Sequence, residues 1–384
     1  MASMLLFVGL PACGGGQKQV VQLDPIVIKH QTTPAGRRVY VRDFTMLYDE
    51  GIAHYGDKRW RDAAEVLEIA VKEYPRHAQL GPAFYHAGLA RLVLSNHDRA
   101  AAHFRQAIRH YNGTRDARDA LFLLAEALNG AGRHGEAAAV YKSALNDPAV
   151  HKTMGGKLGV LDRLEAITRR GIALRRAGDV HKADHQLRAV ERLYRNHRDI
   201  RPVAESDWIA RAYFERGEIY RDLFASIRFK LPVKNMARDL EDKSNLFLKA
   251  QSAYFRGVRL HNDRWSLAAG FQIGNLYAQL IDDIYAAEVP AELSKDLVTI
   301  YREELWKHTG KLAKKAIVVF RKNIDLARRM GRNDEWVRRS QSQLDRMQEL
   351  IRAETERERR GKMLEAQTPQ AGTDPARIKP YSGK

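Results

Sequence analysis

The sequence has little cysteine and no long apolar run. One cysteine in 384 residues excludes an internal disulfide and a zinc site built from several cysteines. No stretch of 18 apolar residues is present, so no membrane-spanning helix is expected. Hydrophobic residues make up 44% of the chain, which is enough for a core and excludes global disorder. What is abundant is basic charge: 65 Lys and Arg against 47 Asp and Glu, a net charge of +18.

Motifs for enzyme chemistry are also missing. Gly155-Gly156-Lys157-Leu158 lacks the upstream glycine and the Ser or Thr of a phosphate-binding loop, and neither GxSxG nor HExxH occurs. His181 and His185 have the spacing of two metal ligands on a helix, but no third ligand follows from spacing. We therefore expect these histidines to be solvated, and we predict no catalysis, no metal and no cofactor.

The only cysteine, Cys13, follows a short apolar segment. Met4–Leu10 is apolar, Leu10-Pro11-Ala12 precedes the cysteine, and three glycines follow it. An apolar run that ends in small residues has the shape of a secretory signal. Leu10–Cys13 resembles the lipobox of bacterial lipoproteins, which implies cleavage after residue 12 and lipidation of Cys13.

This resemblance predicts a signal peptide over 1–12 and a lipid-anchored flexible tether over 13–40. Gly14 stands where the inner-membrane members of that family carry Asp, so the implied location is the periplasmic face of the outer membrane. No Lys or Arg precedes the apolar run, and this favours an alternative, a cytosolic protein.

Internal repeats organise the next part of the chain. Ala63, Ala100 and Ala137 recur at a spacing of 37 residues. Each unit has a small residue 12 positions before this alanine, a bulky residue four positions after it and another alanine three further on. A fourth unit fits around Ala183. The small residues are Gly51, Gly88, Ala125 and Gly171, and the bulky ones are Leu67, Phe104, Tyr141 and Leu187.

This pattern resembles the tetratricopeptide repeat (TPR), a helix–turn–helix unit in which the small residue lets helix A approach helix B. It predicts an all-α, TPR-type α-solenoid of about six or seven units, regular over 41–200 and irregular over 201–365, with a disordered tail over 366–384. In the irregular part, Gly217 and Gly274 occupy the small position. Helices are predicted over about 205–226, 243–260, 265–285, 291–330 and 335–364.

The segment from Trp265 to Met347 carries a further resemblance. It is similar to the C-terminal module of envelope TPR proteins from myxobacteria, including lipoproteins tied to gliding motility. The resemblance implies a periplasmic scaffold in an envelope-spanning complex.

TPR geometry predicts a partner-binding groove lined by the A helices. An aromatic first half and an arginine-rich second half suit an extended peptide with apolar and acidic groups. The alternative is that Val20–His30 lies in this groove as a strap. The predicted groove residues are Tyr48, Tyr55, Tyr85, Leu89, Phe122, Arg175, Arg176, Arg211, Phe214 and Arg221.

Basic charge is concentrated at the C-terminal end. Tyr301–Lys384 contains 21 basic and 12 acidic residues, half of the net charge of the chain. Such a surface suits envelope polyanions, whereas the absence of a helix-turn-helix or RNP motif argues against nucleic acid. The sequence thus predicts a non-catalytic scaffold for protein partners. The alternatives are a cytosolic adaptor for an acidic protein or nucleic acid, and an accessory lipoprotein of outer-membrane assembly or the cell wall.

Overall fold

The computed structural model describes residues 27–33, 36–291 and 293–367. Within these residues the chain forms two compact units: unit 1 extends to Ile209, and unit 2 begins at Ala210. The division falls within one helix, whereas the sequence predicted a boundary near residue 200. The predicted signal peptide, Cys13 and the tail beyond residue 367 lie outside the described residues. No helix among those described is long and apolar enough to cross a membrane.

Unit 1 is a series of antiparallel helix pairs in which consecutive helices pack on one another. Its first four pairs match the four predicted repeats, and short helices follow the third and fourth pairs. The helices are α1 Phe44–Gly56, α2 Trp60–Glu73, α3 Leu80–Val93, α4 His97–His110, α5 Arg115–Gly130, α6 His134–Asn146, α7 Pro148–Thr153, α8 Val160–Arg176, α9 Val180–His197 and α10 Arg201–Ala204.

Unit 2 continues with longer helices of the same antiparallel arrangement. Two of its helices begin with a side-chain cap: the Asn262 side chain accepts a hydrogen bond from the Trp265 amide, and Asp334 Oδ1 accepts one from the Trp336 amide. The helices are α11 Asp207–Ser226, of which unit 2 holds the part from Ala210, α12 Val233–Val258, α13 Asp263–Tyr285, α14 Lys295–Arg329 and α15 Glu335–Gln367. The α12 helix begins ten residues before the predicted start at Lys243.

The predicted contact between small and bulky residues holds the helix pairs together. A methyl group added at Gly88 would lie 2.8 Å from the Phe104 ring, closer than van der Waals contact allows. Only a residue without a side chain fits against a fully buried ring at this point. The same close approach occurs at Gly51–Leu67, Gly88–Phe104, Gly171–Leu187, Gly217–Tyr254 and Gly274–Phe320.

These contacts confirm the predicted fold class, a TPR-type α-solenoid. The repeat alanines Ala63, Ala100, Ala137 and Ala183 are all fully buried. Each lets two helices approach closely where a larger side chain would separate them.

A β-hairpin precedes the first helix. It forms in part of the segment that the sequence predicted as a flexible tether, so the prediction is corrected for that part. Strands β1 (Val27–Thr33) and β2 (Gly36–Arg42) pair antiparallel, with Val27 opposite Arg42. Valine and isoleucine in β1, and valine and tyrosine in β2, favour the extended conformation. Residues 27–30 of the proposed strap pair with β2. Residues 20–26 lie outside the described residues, so the strap stays a prediction.

Candidate peptide-binding surfaces

The three tyrosines that were predicted to line the groove lie around one histidine in unit 1. Tyr48 and Tyr55 project from α1 and Tyr85 from α3, and the rings lie 6.1, 5.8 and 5.6 Å from the His86 ring between centroids. The Tyr48 phenol oxygen is 3.4 Å from His86 Nδ1. All four side chains are half-buried, so each keeps one part in contact with solvent. We call these four residues the aromatic cluster.

The aromatic cluster is uncharged at neutral pH. Burial lowers the pKa of His86, and a hydrogen bond between its ring and the Pro82 carbonyl acts in the opposite direction. Burial also raises the pKa of Tyr48 and Tyr85, with a further contribution from nearby Asp49 and Asp119 respectively. The surface therefore offers neutral rings and hydroxyl groups, a combination common where proteins bind peptides.

Other predicted residues of unit 1 have different environments. Leu89 is half-buried on α3, one turn beyond Tyr85. Phe122 is only 7% exposed and packs edge-on against Tyr141 at 5.6 Å, so it belongs to the core and not to a binding surface. At the end of α8, Arg175 is half-buried and Arg176 is exposed.

In unit 2 the predicted groove residues contact neighbouring side chains. Phe214 is 8% exposed and packs against Tyr254 and Trp265, which makes it a core residue and corrects its assignment to the groove. The Arg211 guanidinium lies 5.4 Å from the Trp265 ring. Arg221 donates from Nη2 to Glu218 at 2.7 Å.

Arg221 also borders a cavity that sequence reasoning did not find. The cavity has a volume of about 340 Å³ and lies among α11, α13 and α15. No spacing rule joins these helices, because residues of the cavity are separated by more than 100 positions along the chain. Its lining consists of Arg221, Phe271, Gln272, Asn275, Arg339, Ser342 and Gln343.

A second feature missed from sequence is a charged cluster in the first two repeats. Glu68 on α2 accepts two hydrogen bonds from Arg91 on α3, both of 2.7 Å, and lies 2.9 Å from His103 Nε2 on α4. Burial raises the pKa of Glu68, but the hydrogen bonds and charges of His103 and Arg91 outweigh it and lower the pKa to about 2. This cluster joins three helices of the first two repeats.

Groupings of metal ligands are absent from the described part of the chain: no three His, Cys, Asp or Glu side chains come together there. His181 and His185 are both exposed on α9.

The stacked helix pairs of unit 1, with a small residue packed against a bulky one in each of several pairs, have the arrangement of TPR units. The tetratricopeptide repeat model matches residues 48–80 and 85–150, which cover the aromatic cluster. These residues therefore form TPR units, and such units act as scaffolds that bind protein or peptide partners. No curated protein matches the chain.

Several solved structures are similar to this chain at low identity. A Rap protein complexed with competence and sporulation factor is 14% identical, with 81% of this chain and 76% of that chain covered and a TM-score of 0.39. The C-terminal part of a TPR protein from Cytophaga hutchinsonii is 12% identical, with 77% and 93% covered and a TM-score of 0.38. A TPR protein from Bacteroides fragilis is 18% identical, with 57% and 91% covered and a TM-score of 0.27.

Proposed function

We propose that the chain is a non-catalytic scaffold that binds an extended peptide segment of a partner protein on the aromatic cluster of unit 1. The observation that carries this proposal is the convergence of Tyr48, Tyr55 and Tyr85 on His86, with all four side chains half-buried. Tyrosine contributes large contact area at low entropic cost, and its hydroxyl group pairs with peptide carbonyls.

Selection from a random peptide library on the purified full chain tests the proposal. A selected peptide is then synthesised, and its affinity is measured by fluorescence anisotropy. We expect Tyr55→Ala to weaken binding about tenfold, the usual effect of removing one central aromatic contact.

Tyr194→Ala is the matched control, because Tyr194 is a half-buried tyrosine of the same unit on α9 and is remote in sequence from the cluster. Equal affinity of the two variants, or a library that yields no binding peptide, contradicts the proposal.

We further propose that Cys13 anchors this scaffold to the periplasmic face of the outer membrane, as part of an envelope-spanning complex of the kind used in motility. The support is the sequence Leu10–Cys13 and the similarity of residues 265–347 to envelope TPR proteins. Labelling with a fatty-acid analogue in cells should mark the wild type and not Cys13→Ser. Absence of label from both, together with recovery of the protein in the soluble fraction, would favour the cytosolic adaptor instead.

A further inference from the structure

The middle of α14 carries basic side chains without acidic ones. Between Glu304 and Asp325 this helix contains no Asp or Glu. Its exposed basic residues follow one another at spacings of three, four and seven, which place them on one face of a helix. We call this surface the α14 basic face. Its members are Lys311, Lys314, Lys315, Arg321 and Lys322.

The five cations of this face have no partner within the described chain. Two basic residues nearer the ends of α14 are paired: Lys307 lies 2.6 Å from Glu304, and Arg328 lies 3.1 Å from Asp325. The five side chains between these pairs form neither an ion pair nor a hydrogen bond with any described residue. Like charges three or four positions apart on a helix repel one another, so an external anion should stabilise the face.

The opposite face of α14 packs inside unit 2. Ala313, Ala316 and Phe320 are fully buried, and the Phe320 ring packs against Gly274 of α13. These apolar contacts hold the helix in place with its basic side chains exposed. Only those side chains need to rearrange when an anionic surface approaches.

An exposed valine lies in the middle of the α14 basic face. Val318 is 49% exposed, three positions after Lys315 and four before Lys322. The stems of lysine side chains are apolar as well, so the face combines hydrocarbon close to the helix with positive charge at the tips. A membrane interface has the complementary arrangement, because anionic phosphate groups lie above the acyl chains.

The same face lacks the groups that read nucleic acid. In the described helix, the aromatic residues Trp306 and Phe320 are buried, so neither offers a ring on which a base could stack. Four of the five cations are lysines, which act as mobile point charges without the rigid fork of arginine. A fluid layer of lipid headgroups requires no fixed geometry, so lysines suit it.

We propose that the α14 basic face binds the surface of a membrane that contains anionic lipids. Four to eight basic residues on an amphipathic helix are typical of such a surface. From Lys311 to Lys322 the face extends about 17 Å along the helix axis. The proposal goes beyond peptide binding and requires neither the aromatic cluster nor Cys13.

Two charge-matched variants test the proposal on the full chain with Cys13→Ser, in which no lipid can be attached at residue 13. The α14 variant carries Lys311→Gln, Lys315→Gln and Lys322→Gln. The α15 variant carries Arg338→Gln, Arg352→Gln and Arg359→Gln, which replace exposed arginines that have acidic residues close by in the sequence. Both variants lose three positive charges, so a difference between them reports position and not net charge. Unchanged circular dichroism establishes that both are folded.

Binding is measured by co-sedimentation with phosphatidylglycerol vesicles in about 10 mM salt, where screening is weak. Each basic residue at an anionic membrane strengthens binding about fivefold, so the α14 variant should bind about 100-fold more weakly than its parent. The α15 variant should bind at least about tenfold more tightly than the α14 variant. Equal binding of the two variants, or no binding of the parent chain, would overturn the proposal.

A single fluorescent label reports whether the face itself meets the lipid. With Cys13→Ser the chain has no other cysteine, so Val318→Cys provides one attachment point for a polarity-sensitive dye. Its emission should shift to shorter wavelength on vesicles, whereas a dye attached through Ala353→Cys, at an exposed position of α15, should shift less. Equal shifts at both positions contradict the proposed orientation.

Retardation of a DNA duplex at the same salt, without vesicle binding, would assign the face to nucleic acid and overturn the proposal. Failure of vesicle binding leaves the proposed peptide binding by unit 1 standing, because the two tests use different surfaces.

Discussion

At the scale of single residues, His86 determines what the aromatic cluster can recognise. Its ring contacts three tyrosines, and burial keeps it neutral near pH 7 by lowering its pKa. A charged imidazole at this position would disfavour apolar peptide groups, whereas a neutral ring adds to the apolar surface. The cluster is therefore suited to apolar groups of a peptide.

The glycines at the contacts between paired helices set the distance between those helices. The substitution Gly88→Ala tests this. A methyl group there would lie 2.8 Å from the buried Phe104 ring. Displacing that ring should cost about 1–3 kcal/mol of the free energy of unfolding. Urea unfolding followed by circular dichroism measures the change.

Gly56→Ala serves as the control for this substitution, because a methyl group at Gly56 meets nothing within 4 Å. The variant should be neutral or more stable by up to about 1 kcal/mol, since alanine favours the helix. Equal unfolding midpoints for the two variants would mean that the helix pairs tolerate a wider separation.

At the scale of elements, one buried charge joins three consecutive helices of unit 2. Lys243 on α12 is fully buried and donates to the carbonyls of Phe224 and Ile227 at 2.7 and 2.9 Å. Its Nζ also lies 2.8 Å from Asp283 on α13. One ammonium group thus satisfies the end of α11 and fixes α12 against α13, which explains why a lysine occupies a core position.

Lys243→Met should destabilise the chain by about 3–5 kcal/mol, because it leaves Asp283 buried without this partner. The double variant Lys243→Met, Asp283→Leu should recover part of the loss, because it removes the carboxylate as well. Thermal unfolding of the wild type, both single variants and the double variant measures the coupling. Strict additivity of the two substitutions would contradict the role assigned to this pair.

The Glu68 cluster predicts how unit 1 responds to acid. Its folded-state pKa of about 2 is below the ordinary value of 4.5, so its contribution is present above pH 4.5 and is lost as the pH falls towards 2. Unfolding midpoints of the wild type should fall over this range.

Glu68→Gln should start from a lower midpoint at pH 7 and change less between pH 4.5 and 2, because the titrating carboxyl group is gone. A variant with the same acid response as the wild type would show that other carboxylates control it.

The sequence predicted the helix pairs well, because a small residue and a bulky one recur at fixed spacing in the regular repeats. It also identified Gly217 and Gly274 in the irregular part. It did not predict the β-hairpin, because a two-stranded element leaves only a short alternating pattern. His86 and Glu68 were missed because their roles come from side chains on other helices. Phe122 and Phe214 were misassigned because helical spacing does not separate a groove position from an adjacent core position.

At the scale of the whole molecule, the basic charge is partly neutralised. On α14 and α15, Arg or Lys pairs with an acid one turn away at several positions, among them Lys307–Glu304, Arg328–Asp325 and Arg357–Glu354. These pairs neutralise some of the basic residues, and the net charge of +18 is the excess of basic over acidic residues that remains, so contact with polyanions should depend on salt.

This charge distribution predicts salt-sensitive binding to anionic surfaces. The chain should bind phosphatidylglycerol vesicles in about 10 mM salt and dissociate by about 150 mM, as the Debye length falls from about 30 to 8 Å. Phosphatidylcholine vesicles are the control, and co-sedimentation is the measurement. Binding that persists at about 150 mM salt would indicate a specific lipid site instead.

The contacts between glycine and bulky residue have a consequence for how the chain folds. In unit 1 the partners Gly51 and Leu67, or Gly88 and Phe104, are 16 positions apart, whereas Gly217 and Tyr254 are 37 apart and Gly274 and Phe320 are 46 apart. The same helix-to-helix contact therefore closes a much longer loop in unit 2, and closure of a longer loop loses more chain entropy before the contact forms. Folding rates fall as contacts become less local. The regular repeats should accordingly acquire their native contacts first, so that unit 1 is in place while the long helix pairs of unit 2 are still being assembled.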